Sequence, residues 1–260
     1  MTPSGTISHV APQEPPAPVF KRIVVKISGE MLGGRDAGGG LKTFQRVAEE
    51  IEQVRALGVE VGVVVGGGNI FRGIDSARKN VDRVVADQVG MIGTMVNALL
   101  LQNMLEQRHI PTRVMTAIDM QDVAEPYIRR RAITHLESKR VVIFACGTGN
   151  PFFTTDTAAA LRASEVGADV LLKGTKVDGV YSSDPVKDAK ARFYPRVTFS
   201  EVLAKNLRVM DATAISLCRD NHLTIIVFNL HQPGNLKRIV LGEHIGTFVT
   251  DDETDENRKR

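Results

Sequence analysis

At 260 residues the chain is long enough for one large α/β domain or two small ones. Hydrophobic residues make up 43% and charged residues 24%, which excludes wholesale disorder. A formal net charge of +3 excludes a charge-driven nucleic-acid or membrane-surface protein, and two cysteines without a CxxC exclude a disulfide framework or zinc site.

The first twenty residues hold five of the eleven prolines, no Lys or Arg and no apolar run, so a disordered arm over residues 1–19 is expected and a signal peptide is not. Phe20 to Ile27 is a β-branched run that predicts a buried strand. Phe44 to Leu57 has helical spacing and stops at Gly58. Val59 to Val65 predicts a second strand, running into Gly66-Gly67-Gly68. Residues 83–107 predict a long helix, apolar on more than one face, and Thr112 to Thr116 a third strand. A helical stretch around 129–138 precedes a fourth strand, Val141 to Ala145. Thr157 to Val166 predicts a helix, and Asp169 to Lys173 a fifth strand. Residues 174–199 read as short hairpin-like segments. Asp211 to Asp220 reads as a helix, Thr224 to Asn229 as a strand, and Gly246 to Thr250 as an added edge. Residues 251–260 form a charged tail expected to fray. No segment is expected to cross a membrane, and the composition reads as that of a soluble intracellular enzyme.

Strands alternating with helices at this spacing predict a mostly parallel sheet covered on both faces. Ligands bind such sheets beyond the carboxyl ends of the strands, where the glycines here collect. No GxxxxGK[ST], no GxGxxG with a following acidic residue, no histidine metal pair and no nucleophile elbow occurs. What remains are loops rich in backbone donors. Lys26 precedes Ser28-Gly29-Glu30; alone it reads equally as a solvated strand-edge lysine or as a point charge beside a phosphate. Gly66-Gly67-Gly68-Asn69-Ile70-Phe71-Arg72-Gly73 could be a tight turn, but with Arg72 it reads better as a phosphate nest with a forked cation. Gly147-Thr148-Gly149-Asn150-Pro151-Phe152-Phe153-Thr154-Thr155-Asp156 enters a helix and suits an anion or nucleotide. Its plainer reading makes Thr155 or Asp156 an N-cap and Phe152-Phe153 core.

These segments, with Thr175-Lys176-Val177-Asp178-Gly179-Val180-Tyr181, resemble the bacterial uridylate kinases of the amino-acid-kinase fold, in order and over about residues 20–250. The resemblance implies one domain over 20–250, a three-layer α/β/α sandwich with a mostly parallel central sheet, and transfer of the γ-phosphoryl group of ATP to UMP with Mg2+. It implies ATP contacts at Lys26, Ile27, Ser28, Gly29, Gly68, Arg72, Thr175, Tyr181 and Asp184. It implies UMP contacts at Gly67, Asp87, Thr148, Gly149, Asn150, Pro151, Phe152, Phe153, Thr154 and Thr155, with no metal ligand from the protein. Lys26 and Arg72 would stabilise the transferring phosphoryl, and Asp156 would orient Lys26 rather than act as a base. A cytoplasmic homohexamer in de novo pyrimidine synthesis, allosteric and inhibited by UTP, is the family expectation, with no nucleic acid or membrane partner. In some members a variable loop takes part in GTP activation; its counterpart here, Gly33 to Gly40, is glycine-rich. Competing readings are a glutamate or acetylglutamate kinase of the same fold, and a nucleotide-binding regulator without turnover.

Overall fold

The computed structural model describes residues 17–33, 39–71 and 81–251. The proline-rich arm up to residue 16, residues 34–38 of the variable loop, Arg72 and Gly73 of the second glycine loop, and the tail from residue 252 lie outside the described residues.

Eleven strands and eight helices follow the chain among the described residues. They are β1 (Arg22–Ile27), α1 (Gly29–Leu32), α2 (Gly39–Arg55), β2 (Glu60–Val65), α3 (Arg83–Glu106), β3 (Thr112–Thr116) and β4 (Glu125–Pro126). Then come α4 (Arg129–Glu137), β5 (Val141–Ala145), α5 (Thr155–Val166), β6 (Val170–Thr175), β7 (Val180–Tyr181) and β8 (Phe193–Tyr194). The last are β9 (Arg196–Thr198), α6 (Phe199–Ala204), α7 (Ala212–Asp220), β10 (Ile225–Asn229), α8 (Asn235–Val240) and β11 (Thr247–Thr250). Nine strands form one sheet in the order β4-β3-β5-β2-β1-β6-β10-β11-β9, and β7 pairs with β8 in a separate antiparallel hairpin. Every neighbouring pair in the large sheet is parallel except β10 with β11.

The period of two along each strand builds the layers. In β1, Ile23, Val25 and Ile27 pack into a core with α2, α3 and α8; Val24 faces the other core with α4, α5, α6 and α7. Both faces of the central strands are covered, which is why VEVGVVV and VVIFA read as unbroken apolar runs. Each buried Val or Ile contributes roughly 1.5–3 kcal/mol relative to exposure.

Two expectations need correction. The segment at 247–250 is not an edge, because β11 sits between β10 and β9, which is itself the edge strand. A three-residue strand, RVT, carries too little periodicity to announce itself. Also, α3 is long and apolar enough to cross a membrane by length and composition. Its inner residues Met91, Met95, Ala98, Leu101 and Leu105 pack instead into the core beneath the sheet.

Candidate active site

The site lies at the carboxyl end of the central strands. β1 and β6 run side by side with Lys26 directly opposite Lys173, so both lysines stand on the same face of the sheet. Lys26 is 5% exposed, which removes the solvated strand-edge reading. The carboxylate between them belongs to Asp156. Its Oδ1 lies 2.6 Å from Lys26 Nζ, and its Oδ2 accepts from Lys173 Nζ at 2.8 Å. The Lys26 contact is a short, buried ion pair. Lys173 also donates to the Val209 carbonyl at 2.5 Å.

Burial opposes the charge on Asp156, but the Lys26 and Lys173 ammonium groups outweigh it and hold the carboxyl below its ordinary value. For Lys173, burial lowers the proton affinity more than Asp156 raises it, and Lys26 pushes the same way as burial. The cluster therefore sets two cations against the Asp156 carboxylate in a poorly solvated place, with Asp211 near enough to act on Lys173 as well.

Three loops converge here. Gly29 begins α1 against the second loop: a Cβ there would stand 2.3 Å from Gly68 N and 2.8 Å from Gly66 O, so only glycine lets the two backbones touch. Gly66 N donates to Ile27 O at 2.8 Å. Ser28 caps α1 without a side-chain hydrogen bond. The Ile27 side chain is fully buried in the core and takes no part in the site. Arg72, the forked cation expected beside these glycines, lies outside the described residues.

The third loop leads into α5, whose N-cap is Thr154, accepting from Asp156 N at 3.0 Å and Thr157 N at 3.3 Å. Neither Thr155 nor Asp156 is the cap, which corrects the plainer reading. Asp156 sits in the first turn instead, where the helix dipole favours its negative charge. Phe152 and Phe153 are 66% and 49% exposed, so neither is core. Phe152 N donates to Asp87 Oδ2 at 2.9 Å, and Arg83 Nε donates to the same oxygen at 2.8 Å. Asn150 stays local, its backbone N and Nδ2 bonding to Thr148. Gly149, at φ +80°, lies against the Ala117 carbonyl; Pro151 follows, half-buried.

A cleft of about 170 Å³ opens between the second and third loops. It brings together Gly67, Gly68, Asp87, Thr148, Phe153, Thr154 and Thr155, with Ala86, Gly90, Met91 and Thr94 of α3 as its wall. A second, larger groove of about 460 Å³ is lined by Tyr181, Asp184, Lys187, Leu207, Arg208 and their neighbours. Thr155 of the cleft precedes Asp156 in the chain, and Arg208 of the groove precedes Val209, whose carbonyl accepts from Lys173, so the charged cluster touches residues that adjoin both. Thr175 lies at the end of β6, where its hydroxyl holds the turn through Val177 O at 2.6 Å and Phe228 O at 3.2 Å.

Sequence reasoning missed Lys173 and Asp211. Lys173 had a readable signal, a charge inside a strand otherwise buried on both faces, VLLKGT. Asp211 had none, since an aspartate before a helix is an ordinary cap. It does cap α7 through Ala214 N at 2.9 Å, but it also accepts from Thr157 Oγ1 at 3.0 Å and from the Thr154 hydroxyl.

Among the described residues no group of three or more His, Cys, Asp or Glu could hold a metal ion, and Asp156 is occupied by two ammonium groups.

A sequence model of the amino acid kinase family matches residues 21–229. UMP kinase from Bacillus anthracis is 42% identical, covers 90% of this chain and 97% of its own, and superposes with a TM-score of 0.86. UMP kinase from Ureaplasma parvum is 38% identical over 89% of this chain and 99% of its own, with a TM-score of 0.83. Uridylate kinase from Archaeoglobus fulgidus is 29% identical over 88% and 99%, with a TM-score of 0.67. With its parallel sheet, its glycine loops and the Lys26–Asp156–Lys173 cluster at their meeting point, the chain belongs to the amino acid kinase family.

Proposed function

We propose that this protein is a UMP kinase, transferring the γ-phosphoryl group of ATP to UMP to give UDP and ADP. The observation that carries the reading is the Lys26–Asp156–Lys173 cluster, whose members adjoin residues of both a small cleft and a larger groove. Two similar bacterial proteins are UMP kinases, which supports UMP as the acceptor.

In this reading UMP occupies the smaller cleft. Gly67, Asp87, Thr148, Phe153, Thr154 and Thr155 already line it, and Gly149, Asn150, Pro151 and Phe152 complete the loop around it. ATP lies along Lys26, Ser28, Gly29 and Gly68, with Arg72 as a further phosphate contact in this reading, the backbone near Ile27 beside it, and its nucleoside end toward Thr175, Tyr181 and Asp184. Tyr181 and Asp184 line the groove, which supports that placement.

Transfer between two polyanions needs neutralisation and in-line alignment more than a nucleophile. Lys26 and Lys173 supply fixed positive charge, and the loop amides supply donors. Asp156 orients both lysines. It is held ionised with ammonium groups at both oxygens, and the acceptor phosphate is already deprotonated, so no base is required. Bound with ATP, Mg2+ would supply further charge neutralisation at the phosphates.

The same reading carries a cytoplasmic setting in pyrimidine nucleotide synthesis, a homohexamer, one domain over residues 20–250, and UTP as a competitor that presents the same uracil and ribose. The test is a coupled assay for ADP release with ATP, Mg2+ and UMP, with CMP, dTMP, glutamate and acetylglutamate as alternative acceptors. UMP-dependent ADP release above every control is the expected result. Turnover on glutamate or acetylglutamate, or UTP binding without any turnover, would replace this reading.

A further inference from the structure

Two polar side chains are buried in the apolar helix α3, Thr94 at 2% and Asn97 at 0% exposure. Buried polar groups in such a helix are costly unless bonded, and these two bond outward to different loops. Asn97 Nδ2 donates to Gly66 O at 2.7 Å and lies 2.7 Å from Asn69 Oδ1, while Asn69 Nδ2 donates back to Asn97 Oδ1 at 3.1 Å. One turn earlier, on the same face, Thr94 Oγ1 donates to Met91 O at 2.7 Å and accepts from Cys146 N at 2.7 Å. Cys146 adopts a left-handed backbone, φ 60°, immediately before Gly147. Gly67 also packs directly on α3, where a Cβ would stand 2.5 Å from Gly90 O.

We propose that Thr94 and Asn97 are positioning residues: from one face of α3 they set the distance and angle between the second and third glycine loops. They thereby align the acceptor in the cleft with the donor phosphates. The inference rests on the reading of those loops given above. Thr94 is part of the cleft wall, but its hydroxyl is spent on Met91 O and Cys146 N, so it acts on the acceptor loop through the backbone at Cys146. Asn97 acts on the Gly66–Asn69 turn, which borders both substrates.

The two roles separate in kinetics. In Thr94→Val, which keeps the shape and removes the hydroxyl, the KM for UMP should rise roughly tenfold to a hundredfold while the KM for ATP stays within about twofold. Thr94→Ser, which restores the hydroxyl, should return the KM for UMP toward that of the wild type. In Asn97→Leu, kcat should fall by a similar factor. Thr94→Ala removes the hydroxyl without adding bulk and is read the same way if the valine variant does not fold. Unchanged kinetics in Thr94→Val, an equal rise of both KM values, or a serine variant as impaired as the valine one would overturn the inference while leaving the proposed function in place. A wild-type protein that does not phosphorylate UMP would overturn the function, and the inference with it.

Discussion

Lys26 and Lys173 stand opposite each other on neighbouring parallel strands, and a single carboxylate, Asp156, spans them. Two ammonium groups this close repel each other, and burial adds to the cost. The carboxylate makes the pair tolerable in the free protein, and a phosphoryl group passing between substrates would find both cations already in place.

If Lys26 stabilises that phosphoryl group, its removal is a loss of one pre-organised charge. Lys26→Met should lower kcat by about 2.7–4 kcal/mol, on the order of a hundredfold to a thousandfold, with a smaller effect on either KM. Steady-state kinetics with ATP and UMP checks this, and near-normal turnover would remove Lys26 from the mechanism.

The carboxylate should show itself in acid. The folded-state pKa of Asp156 lies below its ordinary 3.8, burial opposing the charge and the two lysines prevailing. Its stabilisation is therefore complete above pH 3.8 and is lost as pH falls through the lower, folded value. Asp156→Asn removes that acid limb and leaves two buried ammonium groups unneutralised, costing about 3–5 kcal/mol at neutral pH. Urea midpoints measured between about pH 2 and 7 should converge for the two proteins at the acid end.

Two glycines that border the same cleft should behave oppositely. At Gly67 a Cβ would collide with the Gly90 carbonyl at 2.5 Å and Thr94 N at 2.9 Å, both backbone. Gly67→Ala should destabilise by about 1–3 kcal/mol. At Gly90, inside α3, nothing lies within 4 Å of a new Cβ. Gly90→Ala should stabilise by up to about 1 kcal/mol through helix propensity. Thermal denaturation of both variants gives the comparison.

The outer face of α3 carries Val85, Val89, Ile92, Val96 and Leu99, all exposed and spaced four, three, four and three residues apart. That spacing is the one an apolar seam between two helices requires. With the proposed homohexamer, Ile92→Glu should shift light-scattering mass toward smaller species while far-UV circular dichroism stays unchanged. An unaltered mass would place the seam outside any subunit contact.

Much of this protein was legible from local pattern alone. The order of strands and helices, the parallel sheet and the three glycine loops follow from periodicity and from residues that only certain backbones accept. The 3.6 and 2.0 periods are local properties, so they survive without knowledge of the fold. Short elements did not: α1, β4, β9 and α8 carry two to six residues each, too few for a period to show.

What only the tertiary structure decided is the partnership of distant residues. Lys26 and Lys173 meet because β6, far along the chain, inserts beside β1, and register puts the two side chains on one face. Asp211 reads as a helix cap until the start of α5 is laid against it. Asn97 reads as one polar residue in an apolar helix until Gly66 and Asn69 are found beneath it. In each case the sequence by itself determined which chemistry was present. Which charges face one another, and which loop a buried hydrogen bond holds, depended on strand order and helix packing, and neither is written in any local stretch of the chain.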